Sequence, residues 1–140
     1  MELQIIFQLF LAVILGALIG FERECKGKGA GLQTYSLVAL GACLFTVVSF
    51  ELVKFEINFN PSGVIQAIAI GIGFLGAGVI FRQPTGTVGL TTAAGLWLTA
   101  AIGISVGAKF YFLAIFTTLL TLLVLAGFGM LEEKIFKPKK

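Results

Sequence analysis

Histidine and aspartate are both missing from these 140 residues, and only 12% of the chain is charged. Without histidine, the commonest metal ligand and general base near neutral pH is gone. Without aspartate, the carboxylates reduce to seven glutamates. Serine and threonine remain, but without a neighbouring base they are poor nucleophiles. Neither an enzyme nor a resident metal or cofactor is expected, and nothing points to a nucleic-acid partner. Cysteine is scarce too. Cys25 falls in an expected loop and Cys43 inside an expected helix, so no disulfide is predicted and Cys43 reads as a small buried apolar residue. Asn60-Pro61-Ser62 fails as a glycosylation acceptor, because proline holds the middle position. Met1-Glu2 is not a basic leader and no Ala-x-Ala site follows the first apolar run, so no cleavable signal peptide is expected.

Apolar residues fill the space that charge leaves. They make up 58% of the chain, and the mean hydropathy is +1.04. A soluble domain carries about twice this share of charge and could not hide so much apolar surface in one core. The fold class expected is all-α, a polytopic transmembrane bundle forming one domain. Five apolar segments, 3–21, 33–53, 64–81, 88–107 and 110–131, are each long enough to cross a hydrocarbon core of about 30 Å. Asn60-Pro61 is the N-cap and first-turn pair expected to open the third. Only Ala108-Lys109 separates the last two; fused, they would leave four spans.

Basic residues set the orientation. With the N-terminus outside, Arg23, Lys26, Lys28, Arg82, Lys134, Lys137, Lys139 and Lys140 fall inside, and only Lys54 and Lys109 outside. That bias predicts a cytosolic C-terminus, with the Lys137-Pro138-Lys139-Lys140 tail against anionic headgroups.

Small residues recur every fourth position. Ala12, Gly16 and Gly20 form one stripe, with Gln8 a turn earlier; Gly95, Thr99, Gly103 and Gly107 continue another from Thr91. Such stripes let helices approach closely within lipid, either inside the monomer or as a homodimer seam. Gly71, Gly73 and Gly76 match a dinucleotide-binding spacing, but mid-span and without a following acid they are expected, with Gly78, to serve packing. An internal echo links Leu15-Gly16-Ala17, Phe21-Glu22-Arg23 and Gly31-Leu32-Gln33-Thr34 with Leu75-Gly76-Ala77, Phe81-Arg82 and Gly89-Leu90-Thr91-Thr92. It suggests a parallel repeat about an axis along the membrane normal, or chance likeness among Gly- and Leu-rich helices.

No span carries an ionisable group at its midpoint, where a charge usually marks a pathway. That counts against a proton-coupled pump or a carboxylate-lined cation pore. Polar residues gather instead at the inner ends of spans one to four: Glu22, Arg23, Glu24, Gln33, Thr34, Arg82, Thr91 and Thr92. Packing of the hairpins would let Arg82 reach Glu22 or Glu24. The cluster is either a set of anchors and caps or a shared site for a partner, headgroup or ion. Ser36, Thr46, Ser49, Thr99, Ser105, Thr117, Thr118 and Thr121 are expected to bond carbonyls of their own helices. Trp97 is expected to pack, and Tyr35 and Tyr111 to sit as interface aromatics.

Three blocks resemble the signatures of the MgtC/SapB membrane proteins. They are Leu15–Glu24 with Lys28–Thr34, Gly71–Arg82, and Gly89–Gly103, in the family's order. The resemblance implies a bacterial cell-membrane protein of about five spans, tied to growth and virulence under magnesium limitation. It also implies action through other membrane machines, including the proton-driven ATP synthase. Asn60 stands where the family usually has Asp, Gln33 where it often has Arg, and Val88 where a basic residue is common. Many members continue into a soluble cytosolic domain, which this chain is not expected to have. The function expected is a non-enzymatic regulator of magnesium homeostasis, a homodimer that binds membrane partners through small-residue helix faces. The alternative is a small dimeric transporter or channel for an ion or small solute.

Overall fold

The computed structural model describes residues 2–56, 58–84 and 86–136. Helices α1 (Glu2–Cys25), α2 (Leu32–Leu52), α3 (Pro61–Gly78) and α4 (Leu90–Gly107) are followed by α5 (Tyr111–Leu122). A six-residue π-helical stretch, Leu123–Phe128, then leads into α6 (Gly129–Phe136). Five helical segments are long and apolar enough to cross a membrane, the fifth running from Tyr111 to Leu131. The basic tail 137–140 lies outside the described residues.

The helix ends follow from local chemistry. Asn60 takes extended backbone angles and its side chain accepts from the Ser62 amide at 3.0 Å, with Pro61 in the first turn. That cap starts α3 three residues before the apolar run expected to open it. At the other end α3 stops at Gly78, and Phe81 lies in a strand. Two short strands, β1 (Phe81–Gln83) and β2 (Gly86–Val88), pair antiparallel, with Phe81 opposite Val88. Sequence reading missed this hairpin and assigned both end residues to helices. The break between α4 and α5 is genuine. Lys109 adopts a left-handed conformation (φ 69°), the Phe110 amide donates to Ser105 O at 2.8 Å, and the Lys109 amide to Val106 O at 3.0 Å. These are the two bonds of a Schellman turn.

Helix α2 is the centre of the bundle. It packs against α1, α3 and α4; α1 also touches α4, and α5 lies against α1 and α4. The contact of α1 with α2 and α4 is mirrored by that of α3 with α4 and α2. Exchanging the two hairpins therefore preserves the pattern, as the internal echo requires. The small-residue stripes of α1 and α4 both face α2. A Cβ on Gly16 would stand 2.6 Å from Tyr35 O and 2.9 Å from the Ala39 methyl, and one on Gly103 would overlap Ala39 O. Gly20, Gly95 and Gly107 are closed off in the same way by α2 or the turn before it, and Ala12 and Thr99 are fully buried. These stripes are seams within the monomer. The α3 glycines differ: Gly71, Gly73 and Gly78 have no neighbour in reach of a Cβ, and Gly76 makes only ordinary contact with Ala93 at 3.5 Å. The packing expected of Gly71, Gly73 and Gly78 does not occur within the chain, because α3 lies at the rim and leaves these positions exposed.

Polar groups inside the bundle are bonded locally. The hydroxyls of Ser36, Thr46, Ser49, Thr99, Ser105, Thr118 and Thr121 each donate to a carbonyl three or four residues back in their own helices. Tyr35 and Gln8 instead bond across helices, Gln8 through its side-chain amide. Although 1% exposed, its Nε2 donates to Val106 O at 2.9 Å and Gly107 O at 2.8 Å. Those carbonyls lie in the last turn of α4; Val106 O also accepts the Lys109 amide of the closing turn, so Gln8 adds a second donor there.

Two outcomes test this packing by unfolding in mild detergent. Gly103→Ala should destabilise the bundle by about 1–3 kcal/mol, the usual range for overpacking, whereas Gly73→Ala should be neutral or stabilising. Gln8→Leu should cost about 1 kcal/mol, typical of an interhelical hydrogen bond in a membrane protein. Equal stability of the two alanine variants would refute the assignment of the seams.

Candidate functional site at the basic end of the bundle

Helix α1 does not stop at the charged run but continues to Cys25. It closes on Gly27, whose φ of 60° permits the bonds Gly27 N–H to Glu24 O (2.9 Å) and Lys28 N–H to Arg23 O (3.1 Å). This second Schellman turn holds Arg23, Lys26 and Lys28 together at one end of the bundle. Lys26 stands 2.7 Å from Glu22 Oε1, off the hydrogen-bonding direction. Its directed bond goes to Leu125 O at 2.8 Å, on the π-helical stretch, where the altered ladder brings a carbonyl within reach of α1. Gly129 leaves room for this, since a Cβ there would lie 3.1 Å from Lys26 Nζ.

Arg23 is the most buried charge among the described residues. It is 3% exposed, and its contact with Glu22 Oε2 is long, at 3.4 Å. Its Nε is buried without a partner. The residue lines a cavity of about 540 Å³ together with Lys26, Lys28, Thr91, Thr92 and the π-helical stretch. Gly89 and Leu90, which open α4, also line it. Gly89 has a φ of 90° and provides no side-chain cap, and any Cβ there would overlap Val79 O. The close turn out of the hairpin thus prevents a Ser or Asp cap on α4.

Of the cluster expected from sequence, the structure brings Arg23, Thr91 and Thr92 to this cavity, with Glu22 beside it. Lys26 and Lys28 join them, although sequence reading treated both only as orientation signals. Glu24 is used elsewhere: its Oε2 accepts from the Leu32 amide at 3.1 Å and caps α2, where Gly31 offers no side-chain cap. Gln33 and Thr34 face another space, an apolar groove of about 630 Å³ between α2 and α3. Arg82 is exposed on β1. The expected pairing of Arg82 with Glu22 or Glu24 does not form, because Glu22 faces Arg23 and Lys26 and Glu24 holds the α2 amide.

Two further positions, Tyr35 and Trp97, depart from expectation. Tyr35 is fully buried rather than interfacial; it packs over Gly95, and its hydroxyl donates to Thr92 O at 3.3 Å. The glycine opposite was visible in the sequence, but their pairing depends on the α2–α4 register. Trp97 is 53% exposed and faces outward, because the opposite face of α4 carries the glycines. Tyr111 is half-buried and meets Phe7 edge-on, with ring centroids 5.6 Å apart. Cys43 is buried, Cys25 is exposed, and both are free thiols. Among the described residues, no group of three potential metal ligands converges.

Comparison with known proteins agrees with this architecture. The MgtC family model matches residues 9–134. A protein of Escherichia coli K12 named putative magnesium transporter YhiD is 41% identical, across 96% of this chain and 65% of its own length. Protein SrpB of Synechococcus elongatus is 39% identical, over 91% of this chain and 76% of its own. Protein MgtC of Brucella abortus is 50% identical over 97 residues, which are 69% of this chain and 40% of that protein. The chain thus spans about two thirds of YhiD and less than half of the Brucella protein. No solved structure matches. With a family model covering most of its length and five membrane-spanning helices in place, the chain belongs to the MgtC family.

Proposed function

We propose that this protein is a non-enzymatic regulator of magnesium homeostasis in the bacterial cell membrane, acting on membrane-protein partners and not as a conduit. The observation that carries this reading is the closure of the central seam. Along α4, glycines bring its backbone against α2, and hydroxyls in the core return to their own helices. Three carboxylates near span ends lie against local partners: Glu22 stands 2.7 Å from Lys26, Glu24 accepts from the α2 amide and Glu51 pairs with Lys54. A pathway for a hydrated divalent cation would need oxygen ligands that are not already committed.

Partners would include a second copy of the chain and, as the family resemblance suggests, the proton-driven ATP synthase. The surface offered to them is the rim helix α3, with Gly71, Gly73 and Gly78 open to the bilayer. A second reading, transport, is favoured by the name of the Escherichia coli relative and by the twofold pattern of hairpin contacts. Liposomes containing the purified chain should take up Mg²⁺ and protons no faster than empty ones. A robust flux that a single substitution lining the α2–α3 groove abolishes would establish the transport reading instead.

The proposed orientation places the N-terminus outside and the basic end in the cytosol. Cys25 reports on it directly, being the exposed thiol at that end. A membrane-impermeant maleimide should label Cys25 in inverted membrane vesicles and leave it unmodified in intact spheroplasts. Labelling in intact spheroplasts would reverse the topology.

A further inference from the structure

The cavity between the ends of α1, α4 and the π-helical stretch has a chemistry that the proposed function does not use. We propose that it is a binding site for a phosphate group. Arg23, Lys26 and Lys28 line it, and among the described residues no carboxylate does, Glu22 lying beside it. Arg23 supplies the independent sign of a ligand. Buried guanidinium groups are normally matched by acceptors on most of their donors, yet here Nε has none and the one acidic contact is at 3.4 Å. The same cavity receives the start of α4, where Gly89 cannot carry a capping side chain. The first amides of that helix therefore face it with the positive end of the helix dipole and without a side-chain cap from Gly89.

Guanidinium, ammonium and free helix amides together are the donors that recognise a tetrahedral oxyanion. A phosphate presents a tetrahedral set of oxygens that can meet the Arg23 fork and the α4 start from different directions at once. The position fits as well. The site lies where the spans end, at headgroup depth, and Val124, Leu125 and Phe128 form its apolar side. The phosphate could belong to an anionic phospholipid entering from the bilayer or to a free anion from the aqueous phase.

The test uses the full chain with two probes. Phosphatidylglycerol is added to detergent-solubilised protein and bound lipid is counted by native mass spectrometry, with phosphatidylcholine as control. Inorganic phosphate is titrated calorimetrically into the chain held in phosphatidylcholine nanodiscs. Saturable binding of phosphatidylglycerol alone assigns the site to lipid; saturable binding of inorganic phosphate assigns it to a free anion. In whichever arm binds, Arg23→Gln should weaken affinity about tenfold or more, as expected for loss of a hydrogen bond to a charged group. Lys28→Gln should weaken it several-fold, and Lys109→Gln at the opposite end should leave it unchanged. Because Lys28 is exposed, its variant decides the matter even if Arg23→Gln does not fold. Failure of both probes to bind saturably, or wild-type affinity in the Lys28 variant, would overturn the proposal.

Discussion

Helices in lipid gain nothing by hiding apolar side chains from one another, so association must come from close van der Waals contact and the few polar bonds that cross between helices. In this protein that constraint falls on α2. The Tyr35 carbonyl and the Ala39 methyl meet Gly16 of α1 on one side, and the Ala39 carbonyl meets Gly103 of α4 on the other. Most of the bundle follows from these contacts. They set the depth at which Tyr35 reaches the Thr92 carbonyl and the height at which Gln8 meets the last carbonyls of α4. They also align the end of α1 with the start of α4, where the basic cavity forms. Helix α3 has little share in this network, which is why its glycines remain open.

Spans, turns and seams were legible because each has a local or periodic cause. Twenty apolar residues cross a bilayer, Asn60-Pro61 starts a helix, and glycine every fourth position marks close approach. The stripes of α1 and α4 held that information fully, whereas the same signal in α3 did not distinguish a buried face from an exposed one. Composition cannot tell a glycine packed against a neighbour from one facing lipid, because both are small and apolar. The hairpin 81–88 was missed for a related reason: Phe81 and Val88 are as apolar as the spans they adjoin, so hydropathy absorbed them into α3 and α4.

The polar cluster was legible in place but not in partnership. Sequence put Glu22, Arg23, Glu24, Arg82, Thr91 and Thr92 at one end, which is where they lie. It could not show that Glu24 would turn to the α2 amide, or that Arg82 would be carried outward by a strand. Lys26 was the largest omission. Its contact with Leu125 O depends on a π-helical ladder 99 residues away, and no spacing within α1 signals that. The same contact ties the π-helical stretch after α5 to the end of α1.

The two hairpins differ in how the start of the second helix is satisfied. Each begins its second helix after a glycine, Gly31 or Gly89, neither of which provides a side-chain cap. In the first copy Glu24 reaches across and neutralises the exposed α2 amide. In the second, the segment leading to Gly89 contains no acid, and between Glu56 and Glu132 the chain has none at all. The α4 start therefore keeps the positive potential that α2 loses to Glu24, and it keeps it beside Arg23. A helix end in that condition, next to an under-bonded buried cation, is stabilised by an anion from outside the chain. The divergence of the two copies at one carboxylate is thus sufficient to turn a structural cap in the first hairpin into a binding position in the second.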